Sequence, residues 1–180
     1  MQSIHLFIKY ENNGKHFCSG SKDGTVKLWD GSNNRCISTW DKAHSGEEVW
    51  SVVFSRNGKY ILSSGKVLIS VSYLNIQHTS TFSQDSTVRL WELSTNRCLM
   101  TYSLPASEKY KGQAMFDLTE DRVMINGEDS LHCWDSRNGT YVKLLNLGHE
   151  GPVRWMRHSP THQVFLSCAD DHRARVWNYI

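Results

Sequence analysis

Residues 23–30 read Asp-Gly-Thr-Val-Lys-Leu-Trp-Asp, and a similar stretch returns three times along the chain. Each copy has a turn Asp, a run that alternates apolar and polar side chains, and a Trp followed by a polar residue. Alternation with a period of two indicates a half-buried β-strand, and Asp-Gly is a turn signal. The repetition therefore indicates an all-β protein built from similar sheets. The other copies are Asp85–Glu92, Asp129–Asp135 and Asp171–Asn178.

The composition is that of a globular protein without a strong net charge. The chain has 180 residues, 39% of them hydrophobic, and 20 basic side chains against 18 acidic ones. This balance disfavours a nucleic-acid-binding protein, which carries a basic excess or stripe. No long apolar run and no secretion signal are present, which disfavours a membrane protein or a secreted one. Five Cys without a C-x-x-C pair disfavour a disulfide framework or a zinc site and favour a reducing compartment.

The spacing of the repeats breaks at one place. Successive repeat Trp residues are 62, 43 and 43 positions apart, and removing residues 67–84 shortens the first distance to 44. These 18 residues contain no Asp, Glu, Lys, Arg, Gly or Pro, unlike ordinary connections between strands. We interpret them as the translation of a retained intron of 54 nucleotides, because Val67 and Gln84 fit codons that begin with GT and end with AG. A genuine surface loop is the alternative.

Alternation and turn residues predict the strands and divide the chain into four repeats. The repeats span approximately residues 1–42, 43–104 with the insert 67–84, 105–146 and 147–180. The last repeat ends one strand early, and ring closure by the amino-terminal segment is one way to supply its missing outer strand. The predicted strands span 17–20, 25–30, 36–40, 49–54, 60–64, 87–92, 98–102, 114–118, 122–126, 131–135, 141–145, 153–157, 164–168 and 174–178.

These features resemble WD40 repeats, in which a Gly-His or similar pair precedes each blade, as Ala43-His44 and Gly148-His149 do here. The resemblance implies a partial WD40 β-propeller of about four blades, each of about four antiparallel strands, that is a fragment of a propeller of about seven blades. A partial ring leaves one blade face bare at each end. We therefore expect the isolated chain to associate through exposed apolar surface.

The resemblance also implies that a hydrogen-bonded set of His, Ser, Asp and Trp holds each blade. His149, Ser167, Asp171 and Trp177 make the complete set, whereas the third repeat has neither the His nor a clear Ser, so we expect its blade to be weaker. The set resembles a hydrolase triad, but its elements recur while a triad is usually single. We therefore expect no catalytic residue, no cofactor and no metal. The further members are His44, Asp23, Asp85, Asp129, Trp29, Trp91 and Trp134.

Two surfaces are candidates for contact with partners. The first is a rim formed by Lys22, Trp50, Lys66 and Trp155. Trp50 and Trp155 each follow a His by six positions, which suggests equivalent places in their repeats, and core packing is the alternative for both. The second is a local basic surface for direct RNA binding, which the near balance of charge disfavours. Its residues are Lys27, Arg35, Arg89 and Arg97.

Longer phrases resemble one family of WD40 proteins. SGSKDGTVKLWDG at 19–31 and HSPTHQVFLSCADDHRARVW at 158–177 are similar to the carboxyl-terminal repeats of the WD-repeat subunit of the cleavage stimulation factor (its fifty-kilodalton subunit, subunit 1). The resemblance implies a non-catalytic scaffold of pre-mRNA 3′-end cleavage and polyadenylation in the nucleus. Its partners would be the other subunits of that factor and 3′-end processing proteins, with RNA met mainly indirectly and with no membrane and no small-molecule substrate. A generic WD40 adaptor in signalling or ubiquitin ligase complexes is the alternative.

Overall fold

The computed structural model describes residues 5–65, 87–104, 112–127 and 130–178, and within them every regular element is a β-strand. The strands form four sheets, and each sheet is an antiparallel meander in chain order. The first two sheets contain β1 (His5–Tyr10), β2 (His16–Ser21), β3 (Val26–Asp30) and β4 (Cys36–Trp40), then β5 (Val49–Phe54), β6 (Tyr60–Gly65), β7 (Thr87–Glu92) and β8 (Arg97–Ser103). The other two contain β9 (Ala114–Phe116), β10 (Arg122–Asn126), β11 (Ser130–Asp135) and β12 (Tyr141–Asn146), then β13 (Val153–His158), β14 (Val164–Ala169) and β15 (Ala174–Asn178).

The four sheets are the blades of a partial β-propeller, so the predicted fold class is confirmed. Strands β1, β5, β9 and β13 lie innermost and together line one cavity. All fourteen predicted strands are present, most of them within one residue of the predicted bounds. Strand β9 ends two residues early, at Phe116, because the Asp117 N–H bonds the Arg122 carbonyl oxygen and starts the turn there.

The described part of the amino-terminal segment does not complete the last blade, so ring closure by this route is not seen. Residues 5–10 form β1, which pairs with β2 as the innermost strand of blade 1. A tight turn joins the two strands, where Glu11 N–H bonds the His16 carbonyl oxygen and Gly14 adopts a φ of 73°. Pairing of β1 with β2 closes a far shorter loop than pairing of β1 with a strand of blade 4 would, so it costs less conformational entropy. Blade 4 has three strands among the described residues.

The hairpin that contains the insert keeps the register of its counterpart in blade 1. Tyr60 pairs with Glu92 and Ser64 with Val88, as His16 pairs with Asp30 and Gly20 with Val26. The extra residues thus enter between two correctly paired strands. Residues 66–86 lie outside the described residues, and with them Lys66, Asp85 and the insert itself.

Three apolar clusters pack the blades against one another, and the two end faces stay open. One cluster lies at each junction between successive blades, and a buried hydrogen bond crosses the last of them, from Asn126 Nδ2 to the Val153 carbonyl oxygen at 2.6 Å. Among the described residues no fourth cluster joins blade 4 to blade 1. Leu166 and Val176, which are register partners in blade 4, are 52% and 69% exposed, and Tyr10 of blade 1 is 64% exposed. The bare end faces expected from the sequence are therefore present.

Candidate functional site

Blade 4 holds the complete hydrogen-bonded set predicted from the sequence. Strand β14 carries Ser167, and the neighbouring β15 carries Trp177, whose indole Nε1–H donates to Ser167 Oγ at 2.8 Å. The imidazole of His149 lies between Ser167 Oγ and Asp171 Oδ2, with 2.8 Å from Nε2 to the hydroxyl and 2.8 Å from Nδ1 to the carboxylate. A neutral imidazole satisfies both contacts when Nδ1–H donates to the carboxylate and Nε2 accepts the hydroxyl proton.

The Asp171 carboxylate is held in its charged form. Its side chain is 4% exposed, and that of His149 is fully buried. Desolvation acts to raise the pKa of Asp171, but hydrogen bonds from His149 and from the backbone N–H groups of Arg173 and Glu150 outweigh it and lower the pKa to about 2. The carboxylate therefore joins the loop before β13 to the turn before β15.

Blade 2 repeats the arrangement. His44 Nε2 lies 2.8 Å from Ser63 Oγ, and Trp91 Nε1–H donates to the same hydroxyl at 2.8 Å. The other ring nitrogen of His44 lies 3.4 Å from Thr87 Oγ1. Asp85, the predicted fourth member, lies outside the described residues. The recurrence supports the structural interpretation of the blade 4 set, because the same geometry occurs in two blades.

Blade 1 holds a smaller version. Trp29 Nε1–H donates to Ser19 Oγ at 2.9 Å. Asp23 caps its own turn, with Oδ1 accepting the backbone N–H of Thr25 at 3.0 Å and its hydroxyl at 2.7 Å. Within the described residues Ser19 has no His partner, so this set lacks the link that ties the turn to the preceding loop.

Blade 3 departs from the pattern, as the sequence predicts. The register places Ile125 where the other blades have their Ser, so Trp134 packs against aromatic rings instead. Its ring centroid lies 6.0 Å from that of His132 and 5.6 Å from that of Tyr141. His132 Nδ1 also lies 3.0 Å from Tyr141 Oη. Asp129 lies outside the described residues.

The sequence does not predict this aromatic set, although it contains the signal. His132 is the register partner of Ile125, a place that Lys27, Arg89 and Arg175 occupy in the other blades. The change from Lys or Arg to His at this repeat position is the sequence signal for the aromatic set of blade 3. Ring packing around Trp134 therefore takes the place of the Trp-to-Ser hydrogen bond of the other blades.

The Ser-His-Asp geometry offers no access to a substrate. Ser167 is 1% exposed, and its oxygen already accepts the indole proton of Trp177. A nucleophilic hydroxyl needs an open side from which a carbonyl carbon can approach. The set therefore fits a structural role.

The structure describes three of the four predicted rim residues. Lys22 is exposed in the β2–β3 turn and Trp50 is half-buried in β5, whereas Trp155 is 42% exposed on the open face of blade 4 and stacks on Phe7 with ring centroids 6.5 Å apart. Lys66, as noted, lies outside the described residues.

The expected equivalence of Trp50 and Trp155 was wrong. Pairing shifts at residue 50 in β5 and at residue 154 in β13, so Trp50 matches Arg154 and Trp155 matches Ser51. The loop after His44 is one residue longer than the loop after His149, and Ser45 and Gly46 take positive φ values of 56° and 90° within it. Equal spacing from the His therefore leaves the two Trp side chains one position out of register.

Comparison with known families agrees with this architecture. The family described as "WD domain, G-beta repeat" matches residues 6–30, 34–92 and 139–178. The chain belongs to the WD40-repeat family. The second match to the WD40 repeat covers 59 residues and the third 40, which agrees with extra residues inside the second repeat.

Three curated WD40 relatives illustrate the range of similarity. The chain is 33% identical over 170 residues to cleavage stimulation factor subunit 50 of Arabidopsis thaliana, an alignment that covers 94% of this chain and 36% of that protein. It is 25% identical to periodic tryptophan protein 2 of Arabidopsis thaliana, over 98% of this chain and 18% of that protein. It is 23% identical to the transcriptional corepressor LEUNIG_HOMOLOG of the same plant, over 94% and 19%. The chain thus spans about a third or less of the relatives it matches.

No membrane-crossing helix occurs in the part of the chain that the structure describes.

Proposed function

We propose that this chain is a non-catalytic WD40 scaffold of the nuclear machinery that cleaves and polyadenylates pre-mRNA 3′ ends. The observation that carries the proposal is the 33% identity to cleavage stimulation factor subunit 50, across 94% of this chain. The phrases at 19–31 and 158–177, which point to the same family, form the turns and strands of blades 1 and 4. The other relatives cited above match at 25% or below.

The mechanism is presentation of loops on a rigid support. The hydrogen-bonded sets of blades 2 and 4 fix the loops that contain His44 and His149 relative to the strands behind them. Loops with fixed backbone lose little entropy when a partner binds, which favours affinity. Under this proposal the chain contributes contacts to an assembly, and the chemistry of cleavage belongs to other subunits.

The proposed partners are the other subunits of the cleavage stimulation factor and further 3′-end processing proteins. Lys22, Trp50, Lys66 and Trp155 are the proposed contact residues, and exposed aromatic side chains such as Trp155 are enriched where protein interfaces gain most of their free energy. RNA is met mainly through the complex, because 20 basic residues against 18 acidic ones give no general attraction to phosphates.

Affinity purification of the tagged chain from nuclear extract tests the proposal. Cleavage stimulation factor subunits should be enriched over an unrelated tagged propeller when the eluate is measured by mass spectrometry. Enrichment of ubiquitin ligase or signalling components without any 3′-end processing protein would contradict the proposal and support the adaptor alternative.

A pair of variants tests the contact residues separately. The double variant Lys22→Ala and Trp155→Ala should lower recovery of the partners several-fold, whereas Ile37→Ala, which truncates a 50% exposed side chain on the outer strand β4, should leave it unchanged. Equal recovery with both variants would remove these residues from the contact surface while leaving the scaffold role in place.

A further inference from the structure

The carboxyl ends of the four inner strands line a partly open cavity of about 220 Å³. All four blades contribute to it, through the ends of β1, β5 and β13, through β9, and through the turns that follow these strands. The opening of this cavity, its mouth, lies at the opposite end of the blades from Lys22 and from the loops that carry His44 and His149. The second strand of each blade runs from the mouth end to that other end. The polar residues of its wall that matter here are Lys9, Arg56, Asp117, Glu120 and Arg157.

The two acidic side chains of the wall already accept hydrogen bonds from the chain itself. Glu120 Oε1 accepts the backbone N–H of Arg56. Asp117 Oδ1 accepts the backbone N–H of Arg122 at 3.2 Å, and its Oδ2 accepts the Thr119 hydroxyl at 3.3 Å. Their lone pairs are thus directed toward the turns of blades 2 and 3.

Two of the three basic side chains of the wall have no hydrogen-bond or ion-pair partner among the described residues. Among the described residues neither Lys9 Nζ nor the Arg157 guanidinium makes a hydrogen bond or an ion pair. The two charges repel each other: burial and then the charge of Arg157 lower the pKa of Lys9. Arg56 donates from Nη2 to the Pro160 carbonyl oxygen at 2.9 Å, which holds a third positive charge at the mouth. An anion between these groups would relieve the repulsion and accept charge-assisted hydrogen bonds from both.

We propose that this cavity binds an anionic side chain of a partner peptide, a phosphate or a carboxylate, between Lys9 and Arg157 with Arg56 at the mouth. A space of about 220 Å³ holds one such group and a short piece of its chain. A nucleic-acid strand is recognised by a groove or stripe of basic and aromatic groups that follows successive phosphates, whereas the basic groups here converge on one small cavity.

The inference is separate from the 3′-end processing proposal, because it concerns a different end of the blades and a ligand chemistry rather than a complex. The chain can bind an anionic peptide without joining that machinery, and it can join the machinery while the cavity stays unused. The purification described above and the binding measurement below therefore fail independently.

Fluorescence anisotropy with short labelled peptides tests the inference. The probes are a Gly-Ser peptide with one central phosphoserine, the same peptide with Glu at that place, and the same peptide with Ser. The 180-residue chain should bind the phosphoserine and Glu peptides and not the Ser peptide. Lys9→Gln with Arg157→Gln should weaken binding about tenfold or more, and Arg157→Lys should retain most of it.

The matched control is Lys15→Gln, which removes an exposed positive charge from the β1–β2 turn at the same end of the blades but outside the cavity wall. It should leave the peptide affinity unchanged, and all variants should show the thermal melting curve of the parent. Equal loss with Lys15→Gln, binding of the Ser peptide, or no loss with the double variant would overturn the inference. Tighter binding of single-stranded RNA than of either anionic peptide, sensitive to the same double variant, would overturn the choice of a peptide ligand.

Discussion

Ser167 joins the buried His149 and the half-buried Trp177, and its removal measures how much the blade 4 set contributes to stability. The substitution Ser167→Ala deletes the acceptor of the Trp177 indole proton and the partner of His149 Nε2, both at 2.8 Å. Ser167 is 1% exposed, so water does not replace it without a rearrangement. An unsatisfied buried polar group such as His149 Nε2 costs about 1–3 kcal/mol and the half-buried Trp177 indole about 1 kcal/mol, so the free energy of unfolding should fall by roughly 2–4 kcal/mol.

Blade 1 supplies the matched control. Ser19 is also buried, but within the described part of the chain its hydroxyl contacts Trp29 alone, and that indole is half-buried. Ser19→Ala should therefore cost only about 1 kcal/mol. Ser63→Ala in blade 2 removes contacts with both His44 and Trp91, so it should resemble Ser167→Ala.

Urea denaturation followed by tryptophan fluorescence gives the three free energies on one scale. The order expected is a large loss for Ser167→Ala and Ser63→Ala and a small loss for Ser19→Ala. Losses for Ser167→Ala and Ser19→Ala that agree within about 0.5 kcal/mol would refute the reasoning, because surface substitutions of no consequence vary by that amount.

Three further predictions concern acid, thiols and solubility. The free energy of unfolding should fall as the pH drops from about 4 to about 2. The folded pKa of Asp171 is depressed to about 2, so the stability that its charged carboxylate contributes is lost through that window. Denaturation of Asp171→Asn at each pH should show a flatter curve in this range. A thiol reagent should spare Cys18 and Cys133, since burial raises their pKa values to about 12 and about 11, and labelling of either in the native protein would contradict this. It should modify the three exposed cysteines, Cys36, Cys98 and Cys168. Deletion of residues 67–84 should raise the soluble, monomeric fraction in gel filtration, because the run that begins at Val67 is uncharged and β-prone; equal solubility of both forms would count against it.

Much of the fold follows from local pattern, and β1 shows where local pattern fails. The repeat positions of Trp29, Trp91 and Trp177 predict the same strand in three blades because the turn, the alternation and the Trp recur together. Residues 5–10 read His-Leu-Phe-Ile-Lys-Tyr, a nearly continuous apolar run without clear alternation. Its pairing with β2 depends on the turn at 11–14 and on the neighbouring blade, which local pattern does not describe.

The candidate sites divide in the same way. The His149 set is predictable, because its Asp and Trp recur in all four repeats, its His and Ser recur in the second, and its hydrogen bonds lie within one blade. The register of Trp50 and Trp155 is not predictable from the sequence pattern, since one extra loop residue changes which face each side chain occupies. The cavity between Lys9 and Arg157 joins residues almost 150 positions apart, and only the ring arrangement of the blades brings them together.

The central claim is that buried Ser hydroxyls hold the repeat Trp side chains of blades 2 and 4 in equivalent places. Hydrogen exchange of the indole N–H groups tests this most directly, and NMR on ¹⁵N-labelled protein measures it. The indole protons of Trp91 and Trp177, bonded to Ser63 and Ser167, should exchange far more slowly than that of Trp155, which is 42% exposed. Equal exchange rates for all three would contradict the account, because none of the three would then sit in a protected blade.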